Sequence, residues 1–175
     1  MMYRNSQKRI YIKGGIYFIT TNTKGRYPFF DNDLFCEVLN HQIEFCKRKY
    51  EIDLYAYKIN PDHIHLLFSV GDRFTISDAM FSLKKQTAHS INQILGYVDI
   101  VENQSNLELY RFISSSKKRM GLERPVFKFH WQQSFHDHYI RDEKDLYFHI
   151  EYIRKQHIRH SLLENKWLFI DERYL

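Results

Sequence analysis

Cysteine is scarce in this chain, with only Cys36 and Cys46 in 175 residues. They stand ten residues apart, without C-x-x-C spacing, which argues against a disulfide framework or a thiolate zinc site and for reduced, buried thiols. Long apolar runs are lacking as well. The stretch from Ile64 to Phe68 is among the longest, far short of the roughly 20 residues a membrane-spanning helix needs. The opening MMYRNSQKRIYIKGG carries charge but no apolar core of a secretory signal, so a cytoplasmic location and no membrane partner are expected. Internal repeats and low-complexity tracts are missing too.

What remains is the composition of a folded domain. The residues are 43% apolar and 17% aromatic, and a chain of this length buries a core without covalent staples. One domain over 1–175 is expected, with an N-terminal arm over 1–13, a polar insertion over 97–125 and a C-terminal tail over 160–175. The net charge of +5 and the pI of about 9.1 favour an acidic partner, nucleic acid being the commonest. Thirteen Tyr and fourteen Phe are mostly core formers, although exposed ones can stack on unpaired bases.

Periodicity assigns the elements. Ile16 to Thr23 is β-branched and aromatic, hence a strand. Asp31 stands as an N-cap before Leu34, Phe35, Val38, Leu39 and Ile43 at helical spacing, with Lys47-Arg48-Lys49 as the basic stop. Ile52–Ile59 and His63–Val70 read as strands joined by the turn at Asn60-Pro61-Asp62. A helix follows from Ser77, as its cap, to Leu95. The insertion has room for a short helix, 126–140 reads as extended, and a last helix runs from Asp142 to about Arg159 before Trp167-Leu168-Phe169 docks the tail. The order β-α-β-β-α-β-α predicts an α+β, ferredoxin-like sandwich: an antiparallel sheet with helices packed on it and a C-terminal helix carrying Tyr152.

His63-Ile64-His65 is the most informative triplet. Residues i and i+2 of a strand share a face, so the two imidazoles project together. That arrangement suits two nitrogens on one divalent ion, and equally two histidines on a half-exposed strand. On the last helix His149, Tyr152 and Gln156 flank the apolar stripe of Leu146, Ile150 and Ile153. Tyr152 and Gln156 stand one turn apart, so a phenol and an amide oxygen can approach one ion. A boundary tyrosine with a buried ring is the plainer alternative. His136-Asp137-His138 is a second such histidine pair, but it lacks the Ser or Thr two residues after each histidine that a two-histidine phosphoesterase requires. Of the basic clusters, Lys117-Lys118-Arg119 and Arg154-Lys155 are the candidates for phosphate contacts, the former first.

These motifs resemble a known family. NPDHIHLLFSV resembles the HUH motif of single-strand-specific transposases, and WQQSFHDHYIRDEKDLYFHIEYIRKQ is similar to the region around their catalytic tyrosine. The resemblance runs from about Gly14 to Trp167 and is strongest to the REP-associated tyrosine transposases. It implies that His63 and His65 bind a divalent metal, Mg²⁺ or Mn²⁺, with Gln156 as third ligand, and that Tyr152 is the nucleophile. It also implies a single-stranded DNA partner with a hairpin from a palindromic repeat, cleaved and rejoined through a 5′-phosphotyrosine by a monomer or homodimer. Where the REP-associated branch carries Asn-Pro, this chain has Gln156-His157, and its Ser161 stands near a position where that branch tends to have glycine. Two other readings are a hairpin-DNA-binding protein of the same fold that has lost its chemistry and a rolling-circle initiator or relaxase-like nuclease.

Overall fold

The computed structural model describes residues 11–100, 107–120, 127–163 and 165–175. Most of the expected N-terminal arm and parts of the insertion lie outside the described residues. The strands are β1 (Tyr17–Asn22), β2 (Asp53–Asn60), β3 (His63–Ser69), β4 (His136–Tyr139) and β5 (Leu168–Ile170). The helices are α1 (Asp33–Lys49), α2 (Ile76–Ile94), α3 (Leu107–Met120), α4 (Glu143–Arg154) and α5 (Gln156–Arg159).

The sheet order is β4-β1-β3-β2-β5, every pair antiparallel. Its first four strands have the ferredoxin-like arrangement, and β5 extends the β2 edge. The alternation of β3 sets the layers. Ile64, Leu66 and Phe68 pack with Phe35, Leu39 and Ile43 of α1 and with Met80 and Leu83 of α2 in the larger core. Leu67 faces the other way and joins Leu146, Ile150 and Ile153 of α4 in a smaller core. His63 and His65 share the parity of Leu67, so the period of two that builds the sheet also turns both imidazoles toward α4.

The main departures from expectation concern ends. The cap of α1 is Asn32, whose side chain accepts from Leu34 N at 3.0 Å, so Asp31 falls one residue too early. Helix α2 is capped by Thr75 in a reciprocal box with Asp78, not by Ser77, which instead bonds Tyr11. Gly96 follows α2 with a φ of 77°, the left-handed residue that commonly closes a helix. Within 126–140 the strand shrinks to the four residues of β4, plus a lone bridge between Thr23 and Trp131. The insertion holds α3, packed on α2.

The last helix is not continuous. Lys155, with φ −91° and ψ 6°, separates α4 from α5 in a stretch with no proline or glycine. Local propensity gives no reason for a break there. Tertiary packing does: Gln156 is drawn to 1% exposure against the histidines of β3.

Candidate active site

Strand β3 carries the two histidines, nearly sealed from solvent at 3% and 4% exposure. Asp62, in the β2–β3 turn, lies 2.5 Å from His63 Nδ1 through Oδ1 and 3.1 Å from Arg26 Nη1 through Oδ2. An ionised carboxylate only accepts, so the His63 proton sits on Nδ1 and its Nε2 lone pair is bare. Burial opposes the Asp62 charge, but the hydrogen bonds from His63 and Arg26 hold its pKa below the ordinary range.

His65 Nδ1 lies 2.8 Å from Thr20 Oγ1, and its Nε2 is 3.2 Å from both His63 Nε2 and Gln156 Oε1. The Thr20 hydroxyl both donates and accepts, so it can accept the proton of His65 Nδ1 in a hydrogen bond and leave the Nε2 lone pair free for a ligand role. Burial pushes the His65 pKa down to about 3, with His63 adding to the effect, and burial also lowers that of His63. Both rings are therefore held neutral, which is the ligand form.

Whether these groups fit a divalent ion is a question of spacing. Adjacent ligands of an octahedral ion with bonds near 2.1 Å sit roughly 3 Å apart. The two Nε2 atoms and Gln156 Oε1 are 3.2 Å apart along the series. At 3.1 Å from His63 Nε2 on its other side is the Nδ2 of Asn60. The donors fit.

Tyr152 lies in α4, half-buried, and its ring packs edge-on against His65 of the same chain at a centroid distance of 5.3 Å and an angle of 76°. Phe18 of β1 completes a triangle of rings with them, stacked on His65 at 5.2 Å and perpendicular to Tyr152 at 5.6 Å. Gln156 Nε2 donates to the Tyr152 carbonyl at 3.1 Å, which turns its Oε1 toward His65. The guanidinium of Arg159 lies over the Tyr152 ring at 5.4 Å, and His160 meets His63 at 5.0 Å.

A second group with metal-like spacing is His138, Asp145 and His149, whose donor atoms all lie within 4.8 Å of one another. Asp145 Oδ2 is 3.0 Å from His138 Nε2 and accepts from Arg141 N and Nε, while Oδ1 is 3.2 Å from His149 Nδ1. The hydrogen bond from His138, with those from Arg141, holds this carboxyl well below the usual range against the cost of burial. A carboxylate already shared with an arginine is a poor cation ligand. This group ties edge strand β4 to the start of α4.

The predicted phosphate-binding cations divide. Lys117, Lys118 and Arg119 close α3, on the opposite face of the sheet from Tyr152, and Arg119 lies 3.7 Å from Glu37 of α1. Arg154 is held by Glu151 at 2.9 Å and by the Tyr174 carbonyl at 2.9 Å, and Lys155 lies 3.3 Å from the same Glu151. Phe18, Thr20, Asn60, Arg159 and His160 were not picked out from the sequence. Phe18 and Thr20 were findable, because β1 pairs with β3 and Thr20 stands opposite His65.

This fold, with a strand pair of histidines facing a tyrosine-bearing helix, defines the HUH class of transposases. Residues 12–104 match the model of the IS200-like transposases, and the chain belongs to that family. The REP-associated tyrosine transposase of Escherichia coli is 25% identical over 166 residues, covering 93% of this chain and 79% of that protein. A Haemophilus influenzae protein placed in the same group is 28% identical over 163 residues, covering 91% and 80%. Among solved structures, a REP-associated tyrosine transposase bound to a REP hairpin aligns with a TM-score of 0.63 at 24% identity, covering 91% of this chain and 76% of that one.

Among the described residues no helix is long and apolar enough to cross a membrane.

Proposed function

We propose that this transposase is a metal-dependent, single-tyrosine enzyme that cuts and rejoins single-stranded DNA beside a hairpin. The observation that carries the reading is the convergence of His63 Nε2, His65 Nε2 and Gln156 Oε1, with the Tyr152 ring against His65 in the same chain. The hairpin substrate is supported by the REP-associated relatives and by the hairpin bound in the solved neighbour.

The residues divide the work. A free phenol, with a pKa near ~10, attacks a phosphodiester poorly at neutral pH. His63, His65 and Gln156 would hold Mg²⁺ or Mn²⁺, which when bound polarises the scissile phosphate and offsets charge on its oxygens. Phe18 and His65 fix the Tyr152 ring from two sides, limiting the search for an in-line approach. The Tyr152 phenol loses its proton as its oxygen bonds to phosphorus, the bond to the 3′-oxygen breaks, that oxygen takes up a proton, and the 5′ end stays on the protein. A second 3′-hydroxyl reverses the exchange, so one phosphodiester is traded for another without ATP. A tyrosine beside its own chain's histidines favours cleavage by one protomer. The reading as a binding protein without chemistry has less support, because the donors converge and Gln156 is buried among them.

Tyr152→Phe should abolish the covalent adduct with single-stranded DNA from the gene's flanking palindromes while leaving hairpin binding intact. Denaturing gels with and without Mn²⁺ read the first, and gel shifts the second. An undiminished adduct in that variant would remove Tyr152 from the role.

A further inference from the structure

Asn60 ends β2, stands opposite His63 in the β2–β3 register and is 1% exposed. Its Nδ2 lies 3.1 Å from His63 Nε2, and its Oδ1 is buried without a hydrogen-bond partner among the described residues. Buried amide oxygens are paired in most folded proteins, so an orphan beside a convergent set of donors needs a cause. The cause lies in the ring it faces. His63 gives its proton to the Asp62 side and turns a bare lone pair toward Asn60. Against a lone pair only the amide NH₂ makes a favourable contact, which leaves the oxygen on the far side with nothing to accept from.

We propose that Asn60, through Oδ1, is a fourth protein ligand of the cation held by His63, His65 and Gln156. The inference rests on the metal-site reading given above and adds to it. A half-turn of the amide about its last torsion exchanges two heads of nearly equal size, so the same pocket serves a cation as well as a lone pair. The spacing agrees: Asn60 to His63 is 3.1 Å, His63 to His65 is 3.2 Å and His65 to Gln156 is 3.2 Å, three successive edges of one coordination shell. Two amide oxygens beside two imidazoles make the site harder than the histidine pair alone, which suits Mg²⁺ and Mn²⁺. Four protein donors leave about two of six positions for a phosphate oxygen and water. The β2–β3 turn therefore supplies more than the geometry of a hairpin: its first residue ligates, and its third, Asp62, orients His63.

The test is Mn²⁺ binding to the purified full chain without DNA, followed by calorimetry and by loss of the free-ion electron paramagnetic resonance signal. Asn60→Ala should weaken binding by about tenfold or more, and Asn60→Asp, which keeps an oxygen in place, should retain or tighten it. Electron–nuclear double resonance on protein carrying ¹³Cγ-asparagine should give a carbon coupling that Asn60→Ala removes. Thermal melting without Mn²⁺ separates folding from binding, and Asn60→Asp carries the test if the alanine variant does not fold. Unchanged affinity in Asn60→Ala overturns the proposal, as does weakened binding with no ¹³C coupling, which would mean that Asn60 only positions His63. If the double variant His63→Ala/His65→Ala binds Mn²⁺ like the wild type, the metal-site reading falls and the proposal with it, a result distinct from the other two.

Discussion

Cys36 lies in α1 against the turn at Phe29–Asp31, 1% exposed, its thiol donating to the Phe30 carbonyl at 3.1 Å. Burial pushes its pKa up to about 12 and that of Cys46 up to about 11, from an ordinary 9.0. The same physics that holds His63 and His65 neutral on the α4 side of the sheet holds the thiols protonated on the other: burial on either face penalises a charge without a partner. Because the folded-state pKa is raised, the stabilisation is complete below pH 9.0 and is lost as pH rises toward about 12. In urea titrations the wild type should lose roughly 1 kcal/mol per thiol between about pH 9 and 10. Cys36→Ala should start less stable near neutrality and decline less steeply over that window. Parallel declines in the two proteins would show that the Cys36 thiol ionises alike in folded and unfolded chains.

Among the elements, what could be read from the sequence depended on whether the signal was periodic or tertiary. β1, β2, β3, α1 and α2 follow from alternation and helical spacing, and so does the shared face of His63 and His65. Their termini were placed one or two residues off, because Asn32 and Thr75 compete with Asp31 and Ser77 as caps and only backbone geometry chooses. Trp167-Leu168-Phe169 was read as docking the tail, but neither its pairing with β2 as β5 nor the break at Lys155 was visible, since both are tertiary. Ser161, near a position where the related branch tends to have glycine, has a φ of 52°, the left-handed conformation that glycine adopts freely. The His138–Asp145–His149 group was also out of reach, because it joins a strand to a helix across a turn. It makes a prediction: Asp145→Asn should weaken the hold of β4 on α4, costing about 1–3 kcal/mol, since His138 and Arg141 lose a charged acceptor while His149 keeps its bond to the Asp145 carbonyl. Hydrogen exchange should then speed up in β4 and its β1 partner strand while α1 and α2 stay protected. Uniform loss of protection would argue against a local clamp.

At the scale of the molecule, the sheet separates two surfaces. Tyr152, Gln156 and the two histidines occupy the α4 side, while α3 with Lys117, Lys118 and Arg119 packs with α1 and α2 on the other. On the α4 side, Arg154 and Lys155 share Glu151, so their joint charge is half spent before any DNA arrives. On the α3 side, Arg119 approaches Glu37, but no carboxylate among the described residues pairs with Lys117 or Lys118. On the reading proposed above, the hairpin would use both faces, its stem against α3 and its single strand beside Tyr152. Each lysine–phosphate contact contributes about 0.9 to the slope of log affinity against log salt. Lys117→Ala/Lys118→Ala should therefore lower that slope by about 2 and weaken binding alike for hairpins of any sequence, with Mn²⁺ affinity unchanged. Arg154→Ala should lower it by less, because its charge is held by Glu151 and the Tyr174 carbonyl. An unchanged slope in the double lysine variant would confine the DNA to the α4 face, and the stem would then have to follow β4 and the exposed side of α4.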